Sequence, residues 1–425
     1  GTIDARQLFP LLHLTVRVLP EFRPRELSSC AHIAQHLRVR VRGVAPWDML
    51  WSALQLHAAA RLGEFKAKSL AILAVSFAKQ TNYNTKSKAH QISAEDAAPA
   101  LFDAVAAEAQ FRLGEFNAQE LANLAWAFAT VEHKAPELFE ALSVECHSRL
   151  EAFTSQGLSM VAWSFARQRV QAATLLDGVA RVSAGRLREF STQELTILVG
   201  AFATAQHSAP ALFKALRGEC LSRPLDAFTP QGLICLATSL LDAGHANSHR
   251  LLDAIQRECD FRVRAGAVPP LTLAHMVRKF AKAGLTRPSL FEAMAAAVED
   301  GASALGPREI AAVAKAFSSV YYFPDSTFGA LYSAALPRLG QFRPMSLALF
   351  ASACAKAGHT APALFDAVCD EVRARPEAFN HIDIAQLLWS LHRAGGVSQS
   401  SRRREAFLQL AAAAVPRLRS ASPNS

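Results

Sequence analysis

The chain has 425 residues, of which 51% are hydrophobic, and its 45 Lys and Arg outnumber its 36 Asp and Glu by nine. This apolar content excludes wholesale disorder, no apolar run is long enough to cross a bilayer, and the excess of cations favours a polyanionic partner. The seven cysteines form no C-x-x-C pair, so neither a zinc knuckle nor a disulfide framework is indicated.

One motif, E-F-x-x-Q-x-L with its variants, recurs along the chain. Its anchor residue falls at Phe22, Phe65, Phe116, Phe153, Phe190, Phe228, Val268, Leu305, Phe342 and Phe379. The steps are 43 and 51 residues, and from Phe116 onward 37, 37, 38, 40, 37, 37 and 37. A fixed period of this length is typical of a solenoid, in which each repeat packs on its neighbours. We predict an all-α fold, an α-solenoid that forms a right-handed superhelix of about ten helix-turn-helix repeats.

Each anchor is followed by a predicted helix, helix B. Apolar residues stand 5, 9 and 12 positions after the anchor, as in Leu121, Ala125 and Phe128, and these spacings mark one face of an α-helix. Polar residues directly after the anchor are predicted N-caps: Asn117, Thr154, Ser191, Thr229 and Asn380. Proline is predicted at the first helical position in five repeats: Pro24, Pro230, Pro270, Pro307 and Pro344.

A second predicted helix, helix A, precedes each anchor. Leu-Phe pairs recur there at 101–102, 138–139, 212–213, 290–291 and 364–365, each with Ala two residues later. Small residues permit close helix approach, while Leu and Phe fill the space between repeats. The predicted domain organisation in chain order is two N-terminal repeats at 1–79, a polar inserted loop at 80–98, eight stacked repeats at 99–396, and a basic loop, short capping helix and tail at 397–425.

The unit with the signature FNAQELANLAWAFAT at 116–130 resembles the heptatricopeptide repeat and its kin, the octotricopeptide and FAST-kinase-like helical repeats. It also looks like the helical repeats of some mitochondrial RNA-editing accessory proteins. The resemblance covers about residues 1–396, without a recognisable RAP domain. It implies an organellar RNA-binding protein, in the matrix of a mitochondrion rather than a plastid.

On this resemblance we expect a non-catalytic scaffold for RNA processing or stabilisation, or a structural component of a ribonucleoprotein such as a mitochondrial ribosome. The expected partners are single-stranded or irregular organellar rRNA or mRNA and other ribonucleoprotein subunits. The competing hypothesis is a protein–protein scaffold that binds a peptide or partner helix on its concave face. No nucleophile-elbow, P-loop, zinc-protease or kinase signature appears, so we expect no enzyme activity, cofactor, membrane or small-molecule substrate.

Arginine recurs four or five residues before most anchors, and we call this set the arginine ladder: Arg61, Arg112, Arg149, Arg186, Arg223, Arg264, Arg338 and Arg375. A column of cations would suit a phosphate backbone. A structural role is the alternative, because Glu108, Glu145, Glu219 and Glu371 each stand four residues before a ladder arginine. That is the favourable orientation for an ion pair within a helix.

Positions 3, 7, 10 and 14 after the anchor form one stripe of helix B, which we call the helix B stripe. Across the repeats it holds ten Lys or Arg and one acid, Asp242, where the overall ratio of 45 to 36 would bring about eight acids (10 × 36/45). Amides, cations and indoles can hydrogen-bond to and stack on unpaired bases. The predicted RNA-binding residues are Lys79, Gln119, Asn123, Trp126, Gln156, Trp163, Arg167, His275, Arg278, Lys282, Arg308, Lys315, Lys356, Gln386, Trp389 and Arg393.

Two features leave room for a structural interpretation. Trp126 and Trp163 would also suit packing between repeats. Four histidines share position 17 after the anchor: His133, His207, His245 and His359. Neighbouring repeats are about 9–10 Å apart, too far for side chains to converge on one zinc ion, so we predict turn residues and no metal site.

Overall fold

The computed structural model describes residues 5–37, 45–86, 94–244, 248–395 and 401–421. Within these ranges all regular structure is helical. The chain divides into two compact units, residues 1–224 with 242–246 and residues 225–241 with 247–425. Each unit is an array of helix A–helix B pairs, so the predicted α-solenoid is confirmed, while its handedness stays a prediction.

The helices of the first unit are α1 (Ala5–Val18), α2 (Pro24–Leu37), α3 (Ala45–Ala59), α4 (Ala67–Lys86), α5 (Ala94–Ala109), α6 (Ala118–Thr130), α7 (Pro136–Ser148), α8 (Ser155–Gln168), α9 (Ala173–Gly185), α10 (Thr192–Ala205) and α11 (Pro210–Ser222). Those of the second begin with α12 (Pro230–Asp242) and continue with α13 (His249–Arg264), α14 (Pro270–Ala283), α15 (Pro288–Gly301), α16 (Pro307–Ser319), α17 (Asp325–Ala335), α18 (Pro344–Lys356), α19 (Pro362–Ala374), α20 (His381–Arg393) and α21 (Ser401–Ala421).

Even-numbered helices up to α20 are helix B and odd-numbered helices up to α19 are helix A. In the first unit α2, α4, α6, α8 and α10 pack side by side in one layer, and α1, α3, α5, α7, α9 and α11 in the other. In the second unit α14, α16, α18 and α20 form the helix B layer, and α13, α15 and α17 pack in the helix A layer. Residues at the same position of neighbouring repeats therefore lie on adjacent helices.

The anchors terminate the link between helix A and helix B. That link is usually one turn of 3-10 helix, such as Leu113–Glu115, and the N–H of Phe116 donates to the Leu113 carbonyl at 3.1 Å. Phe116 is buried and extended, with φ −81° and ψ 138°. A large apolar side chain is thus placed between the helices where the chain reverses, which explains why this position recurs.

The predicted N-caps are confirmed. Capping boxes start α6, α10 and α20 at Asn117, Ser191 and Asn380. Thr154 and Thr229 accept hydrogen bonds from the N–H groups of the glycines three residues later, at 3.1 and 3.0 Å. Each such cap stabilises its helix by about 1 kcal/mol. The five predicted N-terminal prolines also begin their helices.

Helix B ends alike in eight successive repeats, with a left-handed residue at position 16 after the anchor. These residues are Glu132, Arg169, Gln206, Gly244, Gly284, Tyr321, Gly358 and Gly395, with φ between 53° and 81°. In the six of these repeats whose next residue is described, its N–H bonds back to the carbonyl at position 12, as from His133 to Phe128 at 3.1 Å, which is the Schellman arrangement.

Two predicted segments differ from the structure. α4 continues to Lys86 and α5 begins at Ala94, so helix extends into both ends of the predicted 80–98 loop; residues 87–93 lie outside the described residues. Polar composition alone does not end a helix, and this stretch contains neither Gly nor Pro. The predicted short C-terminal helix is the 21-residue α21, which packs against both α19 and α20. The loop predicted before it, 397–400, is outside the described residues.

Candidate nucleic-acid interface

The arginine ladder joins neighbouring repeats. The guanidinium of Arg149 donates to the backbone carbonyl of Phe116, the anchor of the preceding repeat, at 2.8 Å. The same bond occurs in five other repeats of the ladder: Arg61 to Phe22 at 2.8 Å, Arg112 to Phe65 at 3.0 Å, Arg186 to Phe153 at 3.1 Å, Arg223 to Phe190 at 2.6 Å and Arg338 to Leu305 at 2.9 Å. Arg375 reaches the carbonyl of Leu339 at 3.4 Å instead.

The carboxylates expected beside the ladder are also engaged. All four predicted ion pairs form: Glu108–Arg112 at 2.5 Å, Glu145–Arg149, Glu219–Arg223 at 2.7 Å and Glu371–Arg375 at 3.1 Å. Hydrogen bonds from Arg112 to Glu115 and Glu108 raise the pKa of that guanidinium further above its usual range. Because these charges are already paired and bonded to backbone, the geometry supports the structural interpretation of the ladder.

The prediction that Arg264 belongs to the arginine ladder is wrong. Arg262, not Arg264, donates to the Phe228 carbonyl, at 2.7 Å, and it pairs with Glu258 at 2.6 Å. Arg264 is paired with Asp260 and donates to Ser289. The step from Phe228 to the next anchor is 40 residues, and the extra residues displace the functional arginine to six positions before that anchor.

A better signal was available in the sequence. Glu-Cys-x-x-Arg occurs at 145–149, 219–223 and 258–262, and the third occurrence identifies Arg262. The cysteines of this motif, Cys146, Cys220 and Cys259, are fully buried. Burial raises the pKa of each thiol to about 12, so they are packing residues.

The histidines at position 17 pair with aspartates of helix A. A ring nitrogen of His133 lies 2.9 Å from Asp103, that of His207 lies 2.8 Å from Asp177, and that of His359 lies 3.1 Å from Asp325. His245 is outside the described residues. These contacts tie the turn after helix B to its own repeat.

In the first unit, the helix B stripe lines an open groove of about 350 Å³ across α4, α6, α8 and α10. It brings together four predicted site residues, Lys79, Asn123, Trp126 and Gln156. The indole of Trp126 is half-buried, and the predicted Gln119 is exposed and donates to Asn123 at 3.1 Å.

The groove also has lining residues that the prediction missed. Gln193 and Ile197 of α10 occupy stripe positions 3 and 7 of the fifth repeat, so carrying the register one repeat further would have found them. Trp163 is half-buried and does not line the groove. Arg167 is exposed, but its guanidinium pairs with Glu132 of the preceding repeat. The stripe of α6, α8 and α10 therefore carries no uncompensated cation.

In the second unit the stripe of α14, α16, α18 and α20 holds six cations and no acid. Five are exposed, and none of these five forms an ion pair or hydrogen bond within the described part of the chain: Arg278, Lys282, Arg308, Lys315 and Arg393. The four helices are adjacent in one layer. We call these five residues the cation row.

His275 is half-buried beside the cation row, and its Nδ1 lies 3.0 Å from the side-chain oxygen of Gln231. Burial lowers the pKa of His275, and the charges of Arg278 and Lys279 lower it further. The ring is therefore neutral near pH 7.

The sixth cation, Lys356, is held in place. Its Nζ donates to the Ser318 carbonyl at 3.1 Å and lies 4.1 Å from the ring centre of Tyr321. Between α18 and α20 a second groove of about 390 Å³ is lined by Ile382, Gln386 and Trp389, among others. Trp389 is 45% exposed, so the predicted Gln386 and Trp389 share one accessible site.

No helix in the described residues is long and apolar enough to span a membrane.

Similar solved structures include a homology model of the full-length AP-3 complex in an intermediate open conformation, at 11% identity over 98% of this chain and 82% of that chain, with a TM-score of 0.29. Another is a circular tandem repeat protein with novel repeat topology and enhanced subunit contact surfaces, at 14% identity over 96% and 98%, with a TM-score of 0.19.

No curated protein matches the chain. The model of the RNA-editing substrate-binding complex 6 protein family matches residues 191–415. Of the expected resemblances, the one to RNA-editing proteins is thus confirmed, and the one to heptatricopeptide or octotricopeptide repeats stays a prediction. Because the match covers more than half of the sequence, the chain belongs to the RNA-editing substrate-binding complex 6 protein family.

Proposed function

We propose that this chain is a non-catalytic RNA-binding scaffold that holds single-stranded or irregular RNA along the helix B stripe. The observation that carries the proposal is the cation row, five exposed cations on the acid-free stripe of α14, α16, α18 and α20 that have no partner among the described residues. Neutralising phosphates releases condensed counterions, which supplies much of the affinity of a protein for nucleic acid.

The contrast with the ladder supports this assignment. The ladder guanidiniums are bonded to backbone carbonyls and most of them also to carboxylates, so a phosphate would have to displace existing partners. The cation row has no such bonds to break among the described residues. Exposed cations of this kind contribute little to stability, which favours a role in binding.

We further propose that the RNA is an organellar transcript undergoing editing or related processing, in the mitochondrial matrix. The family name points to an RNA-editing substrate-binding complex, which we favour over residence in a mitochondrial ribosome. Other proteins of such a complex are the expected additional partners. On this proposal the chain supplies binding and positioning, and no catalytic step.

The test replaces Arg278, Lys282 and Lys315 together with Ala. If each contacts one phosphate of a single strand, the slope of log affinity against log salt should fall by up to about 2 units, since each contact contributes about 0.7. The matched control replaces three exposed cations outside the stripe, Lys214, Arg250 and Arg404, which removes the same charge. Equal effects of the two triple variants, or none from the first, would contradict the proposal.

A second candidate function is the binding of a partner protein, and it has its own observation. At position 3 of the stripe the second unit exposes Leu271, Met345 and Ile382, at 61%, 60% and 56%. Several repeats of the first unit have Gln at this position. Replacing the three with Gln should leave RNA affinity unchanged and abolish complex formation if a protein docks there; intact assembly would exclude this surface.

A further inference from the structure

Helix B ends at a residue in the left-handed conformation, and in one repeat of the second unit this residue is a tyrosine. In the second unit this position is Gly284, Tyr321, Gly358 and Gly395 in successive repeats. Glycine adopts this conformation freely, whereas a bulky residue at positive φ is uncommon and strained. Tyr321 takes it nevertheless, with φ 56°.

Packing does not account for this tyrosine. Three aromatic residues follow one another, and two face the protein: the Tyr322 ring lies 5.8 Å from that of Phe317, and the Phe323 ring lies 6.2 Å from that of Phe328. Tyr321 is 75% exposed, and its one aromatic contact among the described residues is an edge contact with Phe323, at 6.4 Å between ring centres. The strained conformation therefore presents the ring to solvent.

The ring is backed by a cation of the helix B stripe. The Lys356 ammonium lies 4.1 Å from the Tyr321 ring centre and is fixed by its bond to the Ser318 carbonyl. Lys315 of the cation row lies on the same helix that Tyr321 terminates. An exposed aromatic plane thus lies against Lys356, a residue of the helix B stripe, and the Lys356 contact limits its motion.

We propose that Tyr321, backed by Lys356, is a stacking platform for one unpaired nucleobase of the bound RNA. This inference rests on the proposed function and adds to it a preference for single strands. A base inside a duplex is stacked on both faces by its neighbours, so it cannot stack on a tyrosine ring. Aromatic stacking accepts any base, so the platform favours unpaired RNA without selecting its sequence. It also accounts for the retention of a strained side chain where neighbouring repeats have Gly.

The test uses Tyr321→Gly in the full chain, with binding to a mixed-sequence single-stranded RNA and to its duplex. Glycine suits the left-handed conformation, so the melting temperature should stay the same or rise. Single-strand affinity should fall by roughly tenfold, the scale of one stacked base, with duplex affinity and the salt slope unchanged. Tyr321→Phe should bind like the parent, and Tyr321→Asn, which also tolerates positive φ, should bind like the Gly variant.

The matched control is Gln206→Gly, which relieves the same backbone strain in the first unit and should not affect RNA affinity. Normal single-strand binding by Tyr321→Gly would overturn the inference, as would an equal loss on duplex RNA. The two proposals fail differently. If the Arg278, Lys282 and Lys315 variant keeps its salt slope, the proposed function fails; if that variant loses it and Tyr321→Gly binds normally, only the stacking platform fails.

Discussion

The first unit from α6 to α10 and the second unit from α14 to α20 carry the same helix B stripe and fill it differently. In the first, amides and a half-buried indole line a groove, and the one stripe cation, Arg167, is paired with Glu132. In the second, five exposed cations lie on an acid-free stripe, without partners in the part of the chain that the structure describes. The family match, residues 191–415, includes the whole cation row.

We infer from this difference that stability and ligand binding depend on different positions of each repeat. The inward positions are buried and apolar in both regions because every repeat must pack on its neighbours, whereas side-chain N-caps start α6, α8 and α10 but only α20 in the second region. The outward stripe is free of that constraint, so its chemistry can change from one region to the next. On the proposed function, the second unit would supply most of the electrostatic affinity, and the groove of the first unit would contact bases.

The largest expected effect concerns what the two units share. Arg223 and Arg262 are 17% and 12% exposed and bond to the anchor carbonyls of the preceding repeats. Replacing either with Ala leaves a carboxylate and a carbonyl without their donor, so the free energy of unfolding should fall by about 1–3 kcal/mol in each unit. Denaturant titration measures this loss.

Arg264 provides the control for that prediction. It lies on the same helix as Arg262 but is 55% exposed, so Arg264→Ala should cost no more than about 1 kcal/mol. Both Arg262→Ala and Arg264→Ala should keep the salt dependence of RNA binding. Loss of RNA affinity in a ladder variant that remains folded would place the binding surface on the helix A side. The ladder, and not the helix B stripe, would then bind RNA.

These arginines also show what the sequence could and could not predict. Anchors, caps and N-terminal prolines were predictable because each acts within one helical turn. The ladder was visible as a column of charge, but its main acceptors are backbone carbonyls 33 to 49 residues earlier, which carry no sequence signal. The extra residues before Val268 then displaced the register from Arg262 to Arg264.

The candidate site was predictable to a similar extent. Stripe positions followed from helical periodicity, and the structure brings many of them together in two grooves and the cation row. Whether a stripe cation is paired depends on the neighbouring repeat, as Arg167 and Glu132 show. Tyr321 lies in a turn beyond the stripe, although the glycines at the equivalent positions of other repeats marked that turn in the sequence.

A smaller effect would sharpen the contrast between the two stripes. Gln156 and Gln193 are exposed amides that line the groove of the first unit. Changing each to Ala should weaken binding by about 0.5–1.5 kcal/mol per lost hydrogen bond, with the salt slope unchanged because amides release no counterions. Affinities across several single-stranded RNA sequences should also become more alike.

The control for the amides is Gln171→Ala, an exposed amide outside the groove, which should have no effect. A reduced salt slope in the Gln156 and Gln193 variants would mean that the groove binds phosphate instead. The inference that the first unit contacts bases and the second unit contacts phosphates would then be wrong, even if both units bind RNA.

The smallest expected effect is a dependence on pH centred on His275. Its pKa is lowered in the folded protein by burial and by the cations Arg278 and Lys279, so between that lowered value and the ordinary value near 6.5 the unfolded chain binds more protons than the folded one. The contribution of His275 to stability is therefore present above about pH 6.5 and falls as the pH drops towards the folded pKa.

A bound phosphate would raise the pKa of His275, because an anion favours the imidazolium. The protonated ring would then add a positive charge beside the cation row. We expect acidification to lower the melting temperature of the free protein slightly and to strengthen RNA binding slightly at fixed salt. His275→Gln should reduce both dependences, leaving the part of the stability change that comes from His32, whose pKa is also lowered by burial. If the RNA affinity of that variant still rises below pH 6.5 as in the parent, the effect on binding belongs to another group.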